Sequence, residues 1–138
     1  MQGINSTIAR ENTQCMFVTM FIGALAEDGT LTYCNAGHCS PVVAGAFMPD
    51  AACMPIGVFD DAEYVDETLS LSPGDSVFLY TDGVTEAMNE RRECFGQKRL
   101  LDLFAGSTPT TDQVLSAVRA HAGAAEQNDD ITMLKIVY

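Results

Sequence analysis

Asp82 and the pair Asp129-Asp130 are the residues whose type and setting could do chemistry. Val77-Phe78-Leu79-Tyr80-Thr81 is a hydrophobic run that stops at Asp82-Gly83, and a helix-like stretch, Val84 to Glu90, follows it. A carboxylate at the C-terminal end of a strand, beside a glycine, is well placed for a hard cation such as Mg²⁺ or Mn²⁺ rather than Zn²⁺. Gly83 leaves room for an ion, its waters or a substrate to approach the backbone. Aspartate is also a common helix cap, so local pattern alone leaves both roles open for Asp82. Asp129 and Asp130 stand just before the last apolar run, Ile131 to Val137. Adjacent acids repel each other and a cation would relieve them. An ordinary acidic turn is the competing reading. At the start of a strand the two side chains would diverge, so one of them suffices to face a site. Two acidic segments far apart in sequence point to phosphate handled through metal ions, with this chain holding part of the site.

Charge narrows the classes further. Nineteen acids face seven bases, a net charge of -12, and such a field repels nucleic acid and anionic lipid. Neither a nucleic acid nor a membrane surface is an expected partner. A phosphate site on this chain needs cations, and Arg91, Arg92, Lys98 and Arg99 cluster after Asp82 while the other bases are scattered. That cluster reads as a solvated helix face, with a docking face for a phosphoprotein as the alternative. The longest apolar stretch, Cys15 to Ala26, is too short to span a bilayer, and no signal-peptide pattern opens the sequence. The five cysteines include no CxxC, which reads as a reduced, cytoplasmic protein. Cys34, His38 and Cys39 fit no common zinc spacing. His38 reads as a turn residue beside Gly37, with general acid as its alternative. Met16 and Met20 read as core.

The elements that must position these acids follow from periodicity and punctuation. Met1 to Asn12 carries Ile4 and Ile8 at helical spacing and reads as the end of a helix. Cys15 to Ala26 reads as a strand covered on both faces, and Asp28-Gly29 as a tight hairpin turn. Thr30 to Ala36 returns as a second strand, Gly37 breaks it, and Ser40 to Ala46 continues. Met48 to Phe59 is irregular, and Glu63 to Leu71 is a half-polar strand. Pro73-Gly74-Asp75 is a turn, and Ser76 to Thr81 is a strand buried on both faces. Gly83 with Glu86 has capping-box spacing, as does Thr110 with Gln113, which opens a helix burying Val114, Leu115 and Val118. Gln97 to Phe104 is helical, and Ile131 to Tyr138 is the final strand. Five or six strands in meander order with later helices predict an α+β layered domain.

In their neighbourhoods these stretches resemble a known family. Tyr80-Thr81-Asp82-Gly83-Val84-Thr85-Glu86-Ala87 and Asp129-Asp130-Ile131-Thr132 are similar to signature segments of PPM-type serine/threonine phosphatases, and most of all to the bacterial stage II sporulation E type. Phe17-Val18-Thr19-Met20, Tyr33-Cys34-Asn35-Ala36-Gly37-His38, Pro55-Ile56-Gly57-Val58, Leu71-Ser72-Pro73-Gly74-Asp75 and Phe95-Gly96 match in order. The ordered set is far more specific than any one piece.

The resemblance implies part of a layered α-β-β-α sandwich of mostly antiparallel strands, with helices after residue 82. It implies two Mn²⁺ or Mg²⁺ ions that activate a water against phosphoserine or phosphothreonine. Carried over, Asp82 and Asp129 are metal-binding, catalytic acids, and Gly83 and Asp130 support them from behind; the reverse assignment of Asp129 and Asp130 stays open. The family's upstream Gly-Asp segment has no match here. Residues 1–138 are therefore expected to be the C-terminal portion of one phosphatase domain, with one metal ion or none bound by this portion alone, which on its own could lack activity. By analogy the substrate is a phosphoprotein such as an anti-sigma-factor antagonist. The competing expectations are a non-catalytic protein-interaction module on the same scaffold, and self-association through uncovered core surface.

Overall fold

The computed structural model describes residues 1–49 and 53–138. They form four helices and seven strands of the α+β class, with both sheets antiparallel. The chain divides into two units, Met1–His38 with Pro49–Pro73, and Cys39–Met48 with Gly74–Tyr138. No helix among the described residues is long and apolar enough to cross a membrane.

The first unit holds α1 (Gln2–Glu11) and a three-stranded sheet in the order β1-β2-β5, made of β1 (Met20–Leu25), β2 (Thr30–Ala36) and β5 (Glu67–Ser70). The Asp28-Gly29 turn forms as expected. The Asp28 carboxylate accepts from the Thr30 amide at 3.0 Å, and Gly29 takes φ +84°, which a side chain would resist. Leu25 then pairs with Leu31, and Met20 with Ala36. Fully buried Asn5 organises this unit. Its amide nitrogen donates to the Phe59 carbonyl at 2.8 Å, and its oxygen accepts from the Gly57 amide at 2.8 Å and the Tyr64 hydroxyl at 3.1 Å.

Several expectations are corrected in this unit. The first strand begins at Met20, not Cys15, because residues 15–17 lack a pairing partner and only Val18 bridges, to Ile56. Its faces are not both covered: Met16, expected in the core, is 68% exposed, and Phe17 and Ile22 are exposed as well. The half-polar strand shortens to β5, since only Thr30 to Tyr33 offers it partners. The helical reading of Met1 to Asn12 is met by α1, so helices are not confined to the chain after residue 82. Residues 50–52 of the expected irregular stretch lie outside the described residues.

The second unit holds β3 (Val42–Val43), β4 (Ala46–Phe47), β6 (Ser76–Tyr80) and β7 (Met133–Val137) in the order β4-β3-β6-β7, with α2 (Asp82–Thr85), α3 (Gly96–Phe104) and α4 (Thr111–Ala122). The strand expected over Ser40 to Ala46 is instead a two-residue hairpin. Ala44 and Gly45 take φ +47° and +80°, the geometry of a tight turn. The order is no simple meander, because β5 joins β2 and β6 lies between β3 and β7. The core is one cluster in which Phe78 and Tyr80 of β6 meet Val84, Phe95, Leu100, Phe104, Val114 and Val118. Burying side chains of this size contributes about 1.5–3 kcal/mol each, so β6 is the fixed element of the unit. The Thr110 capping box is complete: the Gln113 amide donates to the Thr110 hydroxyl at 3.2 Å, and the Gln113 side chain accepts from the Thr110 amide at 2.8 Å.

Candidate metal and phosphate site

β6 runs buried to Tyr80 and delivers Asp82 to the surface as the first residue of α2. The expected helix over Val84 to Glu90 lasts one turn, and Gly83 is not its cap. Thr81 occupies the cap position, with extended backbone at φ -85° and ψ 159°, yet its side chain makes no capping bond. Its hydroxyl is used elsewhere. It donates to the Asp130 carbonyl at 2.8 Å and accepts from the Thr132 amide at 2.9 Å. The Thr81 amide in turn donates to the Thr132 carbonyl at 3.0 Å. One threonine thus joins the end of β6 to the segment entering β7.

Gly83 completes the seam. A Cβ on Gly83 would lie 2.9 Å from the Asp130 carbonyl carbon and 3.3 Å from the Asp129 carbonyl oxygen. Real side chains do not come that close, so this position admits only glycine without displacing the backbone opposite. The expected strand at Ile131 begins two residues later, at Met133, because Asp129 to Thr132 are engaged in the seam. The Asp129 carboxylate accepts from the Asp130 amide at 2.7 Å, and the Gln127 side chain donates to the Asp129 carbonyl at 2.7 Å. Asp82, Asp129 and Asp130 are all exposed.

The structure therefore brings Asp82, Gly83, Asp129 and Asp130 together on one seam. Sequence reasoning missed Thr81, whose role needs a partner 49 positions away, and weighed Cys39 only as a zinc ligand. The Cys39 thiol is pushed up from its ordinary range first by burial and then by the negative charge of Asp82, with Glu86 adding less. Cys39 thus lies within electrostatic reach of Asp82. Among the described residues, no three His, Cys, Asp or Glu side chains gather into a metal-binding cluster. The donor set at the seam is oxygen, which suits Mg²⁺ or Mn²⁺; Gly83 is buried against the Asp130 and Asp129 carbonyls, so the room expected beside it for an ion or substrate is absent. Two carboxylates are fewer than the six oxygens such an ion takes, so the residues fit part of a coordination shell.

The Asn35 side chain holds the His38 turn, donating to the His38 carbonyl at 2.9 Å and accepting from its amide at 2.8 Å. Cys34 is buried in β2. Lys98 pairs with Asp102 at 2.8 Å, and Arg99 donates to the Cys94 and Phe95 carbonyls at 3.0 and 2.8 Å, so both stabilise their own neighbourhood. Beside the seam, Ala87, Met88, Val118, Ala122, Asn128 and Ile131 help line a cavity of about 290 Å³.

The fold and seam define the class. The SiaA PP2C domain of Pseudomonas aeruginosa is similar with a TM-score of 0.75 and 23% identity, over 99% of this chain and 59% of that one. The RsbU and RsbW domains of Rv1364c from Mycobacterium tuberculosis give 0.71 and 24%, over 94% of this chain and 38% of that one. The Mn-presoaked phosphatase domain of the cell fate determinant SpoIIE from Bacillus subtilis gives 0.65 and 16%, over 96% and 63%. The fold is that of PP2C-type phosphatase domains. Residues 1–138 match the family model of stage II sporulation protein E (SpoIIE), and the chain belongs to that family. Protein IcfG of Synechocystis sp. is 30% identical over 142 residues, which are 96% of this chain and 22% of IcfG. The chain thus spans about a fifth of that curated relative.

Proposed function

We propose that this chain carries part of the active site of a metal-dependent serine/threonine protein phosphatase. The observation that supports it most directly is the Thr81 seam, which ties the residue before Asp82 to the segment that follows Asp129. In this reading Asp82 and Asp129 bind and orient Mn²⁺ or Mg²⁺. Asp130 acts through its carbonyl, which keeps the seam closed, and Gly83 lets that carbonyl pack against α2 without a clash. The chemistry such ions supply is charge neutralisation at a phosphoryl group and acidification of water. The chain's own residues hold the acids in register and contribute negative charge that a cation must balance. Family membership supports phosphoserine or phosphothreonine on a bacterial regulatory protein, of the anti-sigma-factor-antagonist kind, as substrate, and a cytoplasmic setting. A hard ion takes more oxygens than the seam offers, and waters, substrate phosphate and, by the family resemblance, residues outside this sequence would supply the rest. The chain would then be the C-terminal portion of the phosphatase domain.

The test is hydrolysis of p-nitrophenyl phosphate by the parent protein, and Mn²⁺ calorimetry on both parent and chain. We expect Mn²⁺-dependent turnover that Asp82→Asn removes, by more than about 100-fold if the residue orients a reacting group. Turnover that survives Asp82→Asn and Asp129→Asn together would remove the site assignment. A second reading has its own support. Exposed Leu134, Ile136 and Val137 on the edge strand β7 favour a protein-interaction or self-associating surface.

A further inference from the structure

The described cysteines are all free thiols, and two of them, Cys34 and Cys53, are neighbours in the first unit. Cys34 lies in β2 and is 3% exposed. Cys53 is half-buried on the segment leading into Pro55 and Ile56. That segment is fixed in place. Ile56 and Val18 exchange backbone hydrogen bonds at 2.8 and 2.9 Å, and a Cβ on Gly37 would lie 2.7 Å from the Pro55 ring. Cys34 and Cys53 stand shortly before the two partners of that contact, Gly37 and Pro55. Their thiols are near enough to share a hydrogen bond, and the Tyr64 hydroxyl lies within electrostatic reach of both. A cavity of about 170 Å³, lined in part by Met1, Ile22, Tyr33 and Asp66, reaches Cys34 and leaves room for its side chain to turn.

We propose that Cys34 and Cys53 are a modification site, forming a reversible intramolecular disulfide when a peroxide oxidises them. Cys53 is the more exposed and meets the oxidant first. Its sulfur attacks one peroxide oxygen, the O–O bond breaks, and the leaving hydroxide takes the thiol proton to give water and a sulfenic acid. The Cys34 sulfur then attacks the sulfenic sulfur, the S–O bond breaks, and the second hydroxide leaves as water with the Cys34 proton. Two thiols lose two electrons and one peroxide becomes two waters. Burial, with the nearby Cys53 and Asp66 charges, holds the Cys34 thiol up, which disfavours Cys34 as the first of the two to attack peroxide. The bond would tie the 53–57 segment to β2 next to Asn35, the residue that holds the His38 turn.

The experiment treats the folded chain with hydrogen peroxide, blocks remaining thiols with iodoacetamide, digests without reduction and reads the peptides by mass spectrometry. Alkylated cysteines should fall from five to three, with one dominant linked pair, Cys34–Cys53, two hydrogens lighter than the separate peptides and released by dithiothreitol. Oxidation should also raise the melting temperature of the wild type but not of Cys53→Ser. The proposal is overturned if Cys53 goes to sulfinic acid while Cys34 stays alkylable. A Cys53 link to another cysteine or a second chain, or protection of Cys34 that persists in Cys53→Ser, overturns it equally.

Discussion

Thr81 carries more of the site than either acid. It holds a carbonyl and an amide from across the seam with one hydroxyl, while Asp82 and Asp129 are held by their backbones. Thr81→Val keeps the shape and removes both bonds. Losing them should cost about 1–3 kcal/mol of stability and weaken Mn²⁺ binding, whereas Thr81→Ser should retain both. Urea unfolding and calorimetry read the two effects separately, and wild-type behaviour in Thr81→Val would refute the role. Asp82 stood out in the sequence because a carboxylate after a buried run is conspicuous by type. The threonine did not, because a hydroxyl before an aspartate reads as a cap until its distant partner is placed. Gly83 was expected to leave open space and instead packs against the Asp130 carbonyl, a closeness that depends on how β6 and β7 pair.

At the level of elements, the cross-strand pair of Tyr33 in β2 and Glu67 in β5 makes a testable link to pH. The Tyr33 hydroxyl donates to the Glu67 carboxylate at 2.7 Å, and these residues face each other in register. Burial first, then this bond and the Glu67 charge, push the Tyr33 phenol from 10 up to about 12. The fold therefore favours the protonated form, and the unfolded chain loses its proton first as pH rises. The stability this confers is complete below pH 10 and lost as pH climbs through about 12. Urea midpoints measured across that window should fall, and Tyr33→Phe should flatten that part of the decline. An equally steep decline in Tyr33→Phe would assign it elsewhere. Elements with local signals were readable in advance: the Asp28-Gly29 hairpin, the Thr110–Gln113 box and the buried run of β6. Those set by distant partners were not. β1 begins where Ala36 stops offering a partner, and α2 ends after one turn although its residues continue a helical pattern.

Across the whole molecule, a net charge of -12 opposes the attraction of its exposed apolar residues. Charge repulsion between copies is strong at low ionic strength and is screened beyond about 10 Å at 0.1 M salt. Light scattering should therefore give a single-chain mass at low salt and a rising mass at about 1 M, where the Debye length is about 3 Å. Leu134→Lys with Val137→Lys should suppress that rise, since both residues lie exposed on the edge strand β7. A mass that is independent of salt would remove self-association through this edge. The same strand has a bearing on how the protein is made. Asp82 leaves the ribosome well before Asp129, and β7 follows both. Until β7 emerges to pair with β6, the nascent chain presents Asp82 without its partner. The seam, which needs Asp130 and Thr132 opposite Thr81, therefore closes late in translation.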